Sequence, residues 1–311
     1  MPAPQINSAI ISKNKFVELN NGVTIFYREA GEITKPNLLL LHGLPTSSRQ
    51  YKNLISLLAP YFHIVAPDLP GYGQTKVPED FVYSFAAFAD NVDLLLDAIK
   101  FDNFAVYVFD YGAPIGFRIA IKRIKKITAF IAQNGNAYVE GLDGSFWDNI
   151  KKAWALADVK QLTAEQQADK QRLVEINSKL VTELSSYSFQ YDDGESDQTL
   201  VDPEAALLDY HFLTSRPNYV QQQLDILVDY RTNIDLYPEF QEFFRETNVP
   251  ILAVWGKNDK IFIPSGAHAY KKDSKNVKVI ELDAGHFASN SHAPEIAQAI
   301  LDFTAEYNLL K

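Results

Sequence analysis

Short continuous apolar runs alternate along the chain with segments whose apolar residues recur every three or four positions. The runs read as strands covered on both faces, and the spaced segments as amphipathic helices. Near the start, Phe16–Leu19 and Thr24–Glu29 flank Asn21 and Gly22, a hairpin signal. Asn37–Leu41 predicts a buried strand, Ser48–Ala59 a helix carrying Leu54, Leu57 and Leu58, and His63–Ala66 a further strand ended by Pro67. The segment Phe85–Ile99 places Phe88, Val92, Leu95, Leu96 and Ile99 on one helical face. Strand Phe104–Phe109, helix Ala113–Arg123 and strand Ile127–Gln133 follow. Such alternation predicts parallel strands joined by helical crossovers.

The pattern breaks between about Tyr138 and Phe244, where Gln161–Ser185, Glu204–Leu213 and Tyr219–Ile234 read as helices and no buried strand is evident. Tyr191–Asp197 reads as a loop. Alternation resumes with strand Pro250–Trp255, helix Ser265–Lys271, strand Val277–Leu282 and helix Ala293–Tyr307. The expected organisation is an α/β core of residues 1–137 and 245–311, interrupted by a helical cap of residues 138–244.

Composition narrows the function classes. At 311 residues, 47% of them hydrophobic, the chain has room for one large domain with an insertion or for two. No run of 18 or more apolar residues appears, so no membrane span is expected. The opening residues Met1–Ser8 lack the basic and apolar blocks of a secretory signal, which leads to an expected cytoplasmic location. A formal charge of −10 argues against nucleic acid as a partner. With no cysteine, disulfides, thiol catalysis and cysteine-based metal sites are excluded. Gly71 and Gly73 do not make a dinucleotide fingerprint, because Lys76 stands at the third glycine position.

The candidate chemistry lies in loops at the carboxyl ends of the predicted strands, where open α/β sheets bind ligands. His42-Gly43-Leu44-Pro45 follows the strand Asn37–Leu41, and Asp110-Tyr111-Gly112 follows Phe104–Phe109. Gly256 to Asp259 and Asp283 to His286 follow the last two strands. Asp110 could merely cap the next helix, as aspartate often does. The small Gly112 after it, and the order carboxylate, acid, histidine, point instead to a strand–nucleophile–helix turn. A carboxylate there would attack saturated carbon and become an alkyl ester.

These segments, together with Ala66 to Gly73, resemble the α/β-hydrolase superfamily, in its epoxide hydrolase and haloalkane dehalogenase branch. Val108 stands where the family pattern has glycine two residues before the nucleophile. The resemblance implies an α/β-hydrolase fold with a mostly parallel sheet and a helical cap. It implies a catalytic triad in which Asp110 is the nucleophile, His286 the base that activates water, and Asp259 the residue orienting the imidazole. It further implies an oxyanion hole from the backbone amides of Leu44 and Tyr111, and structural roles for His42 and Asp68. Neither an organic cofactor nor a metal is expected, and the expected partners are a small apolar organic substrate and water.

The branch leaves two reactions open, which differ in how the leaving group is stabilised. Dehalogenases typically cradle halide with a tryptophan after the nucleophile and a second donor, often asparagine, in the histidine–glycine loop. Here Tyr111 and Leu44 occupy those positions, and Leu44 has no side-chain donor. Trp147 or Trp154 in the cap could supply one. An epoxide oxygen instead needs an acid, which the family draws from cap tyrosines. Among 16 tyrosines, Tyr230 is the first candidate and Tyr191, preferred over Tyr187, the second. Epoxide hydrolysis to a vicinal diol is the expected reaction. Carbon–halogen hydrolysis and a hydrolase-fold small-molecule receptor are the alternatives, and no Gly-x-Ser-x-Gly stands at a strand end to suggest a serine esterase.

Overall fold

A computed structural model describes residues 12–310, so the opening residues read above for a secretory signal lie outside it. Eight strands form one sheet: β1 (Lys13–Glu18), β2 (Thr24–Ala30), β3 (Asn37–Leu41), β4 (His63–Pro67), β5 (Phe104–Phe109), β6 (Ile127–Gln133), β7 (Ile251–Gly256) and β8 (Val277–Leu282). Their spatial order is β1-β2-β4-β3-β5-β6-β7-β8. The first two are antiparallel additions at one edge, and every pairing from β4 to β8 is parallel. Central strands β5 and β7 are buried at every position, which is why they read as unbroken apolar runs rather than as an alternation.

Helices α1 (Lys52–Leu58), α2 (Phe85–Ala98) and α3 (Gly112–Lys122) connect the first strands. Between β6 and β7 lie α4 (Asp148–Ala157), α5 (Ala164–Thr182), α6 (Leu184–Asp192), α7 (Ala205–Thr214), α8 (Tyr219–Asp229) and α9 (Arg231–Thr247), with no strand among them. The chain closes through α10 (Ser265–Ala269), α11 (Ala288–Ser291) and α12 (Ala293–Glu306).

The structure departs from the sequence reading late in the helical segment. The segment expected as one helix over Tyr219–Ile234 is two, divided at Tyr230. The second of them continues to Thr247 through Pro238, a residue that usually interrupts a helix. Its Tyr237, Phe240, Phe243 and Phe244 are buried against the core, and Phe117 of α3 meets the rings of Phe240 and Phe244. Tertiary burial therefore overrides the local penalty.

Candidate active site

Asp110 sits immediately after β5 with φ +48°, in the left-handed region that side chains rarely adopt. Two glycines make room for the turn. A Cβ on Gly112 would collide with the Leu41 carbonyl, and one on Gly43 would collide with the Asp110 carboxyl. The Leu44 amide donates to Asp110 Oδ1 at 2.6 Å, and the Tyr111 amide also favours the charged carboxyl. Burial pushes the Asp110 pKa up to about 6, against the opposing pulls of His286 and of these two amides.

His286 follows β8, and its Nδ1 meets Asp259 Oδ2 at 2.8 Å. Its Nε2 lies 3.9 Å from Asp110 Oδ2, too far for a hydrogen bond, and this buried nitrogen has no other partner among the described residues. Burial is the largest influence on the imidazole and works against its charged form. The Asp259 charge, its hydrogen bond and Asp110 outweigh burial, so the pKa is raised. Asp259 follows β7, and two further donors fix its side chain: the Ile261 amide on Oδ1 at 2.7 Å and Asn134 Nδ2 on Oδ2 at 2.6 Å. Asn134 is not among the residues that the sequence pattern singles out. Directly after β6, with φ +46°, it also accepts from the Gly256 amide at 3.0 Å and so ties the ends of β6 and β7 together. Its signal in the sequence is a polar residue closing an apolar strand, which by itself does not distinguish a ligand of Asp259 from an ordinary turn.

Asp110, His286 and Asp259 are thus brought together, at the ends of three strands. The remaining candidates divide. Leu44, Tyr111 and Trp147 line a cavity of about 210 Å³ beside Asp110, roofed by residues of α5, α6 and α8. The Trp147 indole donates to the Ile261 carbonyl at 2.6 Å, so it offers the cavity a ring face. The other two indoles are engaged as well, Trp154 with Leu227 O and Trp255 with Phe262 O. Tyr230 and Tyr191 do not line this cavity. Tyr230 is buried at the α8–α9 junction, stacked on Trp154, with its hydroxyl 3.4 Å from that of Tyr237. The Tyr191 hydroxyl donates to Asp209, and its ring stacks on Phe287 with centroids 4.0 Å apart. Tyr187 donates to the Val181 carbonyl. Two buried phenols have no hydrogen-bond partner among the described residues, those of Tyr111 and Tyr138, and of the two only Tyr111, next to Asp110, lines this cavity. His42 and Asp68 act within the loops: His42 Nε2 accepts from the Leu69 amide, and Asp68 accepts from the Ser48 and Gln74 amides.

A mostly parallel sheet flanked by helices, with a carboxylate on a tight strand–helix turn and a histidine–aspartate pair on later loops, defines a hydrolase architecture. Residues 36–293 match the family described as alpha/beta hydrolase fold. The chain belongs to that family and is a hydrolase. It is 43% identical over 301 residues to an uncharacterized hydrolase of Saccharomyces cerevisiae, covering 96% of this chain and 99% of the yeast protein. Among solved structures, it resembles a putative lipase from Acinetobacter baumannii, with TM-score 0.76, 20% identity, and coverage of 96% of this chain and 92% of that one. It also resembles the epoxide hydrolase CorEH, with TM-score 0.73, 19% identity and coverage of 96% and 100%. For the haloalkane dehalogenase DbeA from Bradyrhizobium elkani the TM-score is 0.72, the identity 22% and the coverage 96% and 99%. At these identities the structural likeness speaks to the fold. No helix of the described residues is long and apolar enough to cross a membrane.

Proposed function

We propose that this hydrolase opens epoxides to vicinal diols through an ester on Asp110. The observation that carries the reading is the buried Asp110 carboxylate, held at Oδ1 by the Leu44 amide and bordering a cavity with mainly apolar walls. Helices α4–α9 act as the cap over that cavity. Asp110 attacks one epoxide carbon, the ring C–O bond breaks, and the electron pair goes to the ring oxygen. Water activated by His286 then attacks the Asp110 carboxyl carbon, and the amides of Leu44 and Tyr111 form the oxyanion hole. Asp259 holds the imidazole in the tautomer with Nε2 free and stabilises its charged form. The water oxygen remains in the carboxylate, and its two protons balance those delivered to the diol.

The ring oxygen needs a donor as it departs. Tyr230 and Tyr191 have hydroxyls engaged elsewhere, so we assign this role to the unpartnered phenol of Tyr111. Carbon–halogen hydrolysis is less well supported, because all three indole N–H groups are bonded to backbone carbonyls and none is left for a halide. The test is to weigh the His286→Ala variant after incubation with styrene oxide or with 1-bromohexane. An adduct on Asp110 carrying the whole mass of the epoxide is expected. An alkyl adduct from the bromide alone would move the reading to dehalogenation, and no adduct from either would overturn the ester mechanism.

A further inference from the structure

The turn after α6 grips both loops that carry the histidine–aspartate pair. On the side of the Asp259 loop, Asn258 Nδ2 donates to the Gly194 carbonyl at 2.8 Å, and Lys260 pairs with Asp193 at 2.9 Å. On the side of the His286 loop, the Gly285 amide donates to Glu195 Oε1 at 3.1 Å, and the Ser196 hydroxyl donates to the Asp283 carbonyl at 2.8 Å. The approach is too close for side chains. Gly194 has φ +83°, and a Cβ there would stand 2.8 Å from the Asn258 carbonyl oxygen and 3.0 Å from Gly285 Cα. On Gly285, a Cβ would collide with the Asp193 carbonyl. One turn of the helical segment therefore joins the loop after β7 to the loop after β8.

Glu195 is the unusual member of this clasp. Its side chain is fully buried, and the hydrolytic reaction as written does not use it. Oε1 meets the amide of the residue directly before His286, while Oε2 has no hydrogen-bond partner among the described residues and lies 3.7 Å from His292 Nδ1. A buried carboxyl that is only half satisfied is costly and is the kind of group a stable core omits. Burial also raises its pKa, against the favourable contacts of Gly285, Ser291 and His292. The geometry gives this cost a purpose: the Gly285 amide fixes the backbone from which the imidazole projects toward Asp259 and Asp110.

We propose that Glu195 is a positioning residue for His286, holding through the Gly285 amide the imidazole that activates water. The inference rests on the ester mechanism proposed above and adds a step-specific consequence. Alkylation of Asp110 does not require His286 as base, whereas hydrolysis of the ester does. Loss of the Glu195 acceptor should slow only the second step.

The test is a single-turnover experiment with styrene oxide, following the Asp110 ester by mass spectrometry in the full chain. In Glu195→Ala the ester should form at a rate within about twofold of the parent and should decay at least tenfold more slowly, so that it accumulates. Glu195→Gln keeps an acceptor for the Gly285 amide and should restore decay to within about threefold. Ser196→Ala removes the exposed arm of the clasp and should slow decay severalfold; it serves as the second variant if Glu195→Ala does not fold. Equal slowing of both steps would reduce Glu195 to a general stability role, and unchanged decay in Ser196→Ala together with unchanged or unmeasurable decay in Glu195→Ala would overturn the proposal. Failure of His286→Ala to trap any adduct would instead defeat the ester mechanism, so the two failures are distinguishable.

Discussion

Replacing Asp110 with asparagine should stabilise the fold while abolishing turnover. The substitution keeps the size of the side chain and an acceptor for the Leu44 amide, which donates at 2.6 Å to Asp110 Oδ1. It removes a buried charge whose pKa burial has lifted from 3.8 to about 6. That difference corresponds to on the order of 3 kcal/mol of unfavourable free energy for the ionised form in the folded state. The sign follows from proton binding. An acid whose pKa rises on folding holds its proton more tightly in the folded chain, so stability is lost as pH climbs from 3.8 through about 6, and the whole cost is present above that. Asparagine has no such proton and also tolerates the left-handed backbone at φ +48°. Urea unfolding near pH 7.5 should therefore find Asp110→Asn more stable by up to about 3 kcal/mol, and near pH 4 the gap should close to about zero. An Asn variant no more stable than the parent near pH 7.5, or a gap indifferent to acidification, would refute the claim that the carboxylate is held here at a cost to the fold.

The same titration governs activity: kcat/KM for epoxide opening should fall as pH drops through about 6, by roughly tenfold between pH 7 and pH 5, and a flat profile over that range would remove Asp110 ionisation from the rate. Tyr111→Phe should slow ester formation by about a hundredfold without lowering the urea midpoint, because the lost hydroxyl has no partner among the described residues. Tyr230→Phe should slow ester formation far less, since its hydroxyl faces Tyr237, and the reverse ranking would return the acid to the cap. Asn134→Ala should cost about 2 kcal/mol in urea unfolding by withdrawing a donor from the buried Asp259 carboxylate. It should also slow ester decay more than ester formation in single-turnover measurements.

The residues legible in the sequence are those that the backbone itself constrains. A carboxylate presented at the end of a fully buried strand must turn sharply into a helix packed against the sheet. That geometry needs the space left by Gly112 and leaves a readable mark around Asp110. Asp259 and His286 are marked in the same way, since the last two strands deliver them to one end of the sheet in a fixed order. No comparable constraint marks the helical segment. Whether a tyrosine there reaches the cavity depends on the rotation of its helix and on what else its hydroxyl can find. Tyr191, adjacent in sequence to the turn that grips the histidine loop, is drawn to Asp209 eighteen positions later, a partner that local pattern does not announce. Tyr230 is likewise placed by Trp147 and Trp154 at and within α4 and by Phe85 of the distant α2. Asn134 and Glu195 were illegible for a related reason: each acts on a neighbouring loop more than eighty residues away, through contacts that only the assembled sheet creates. The atoms proposed to react are thus readable from one strand end at a time, whereas the groups that hold those atoms in register belong to pairs of loops and become visible only when both loops are in place.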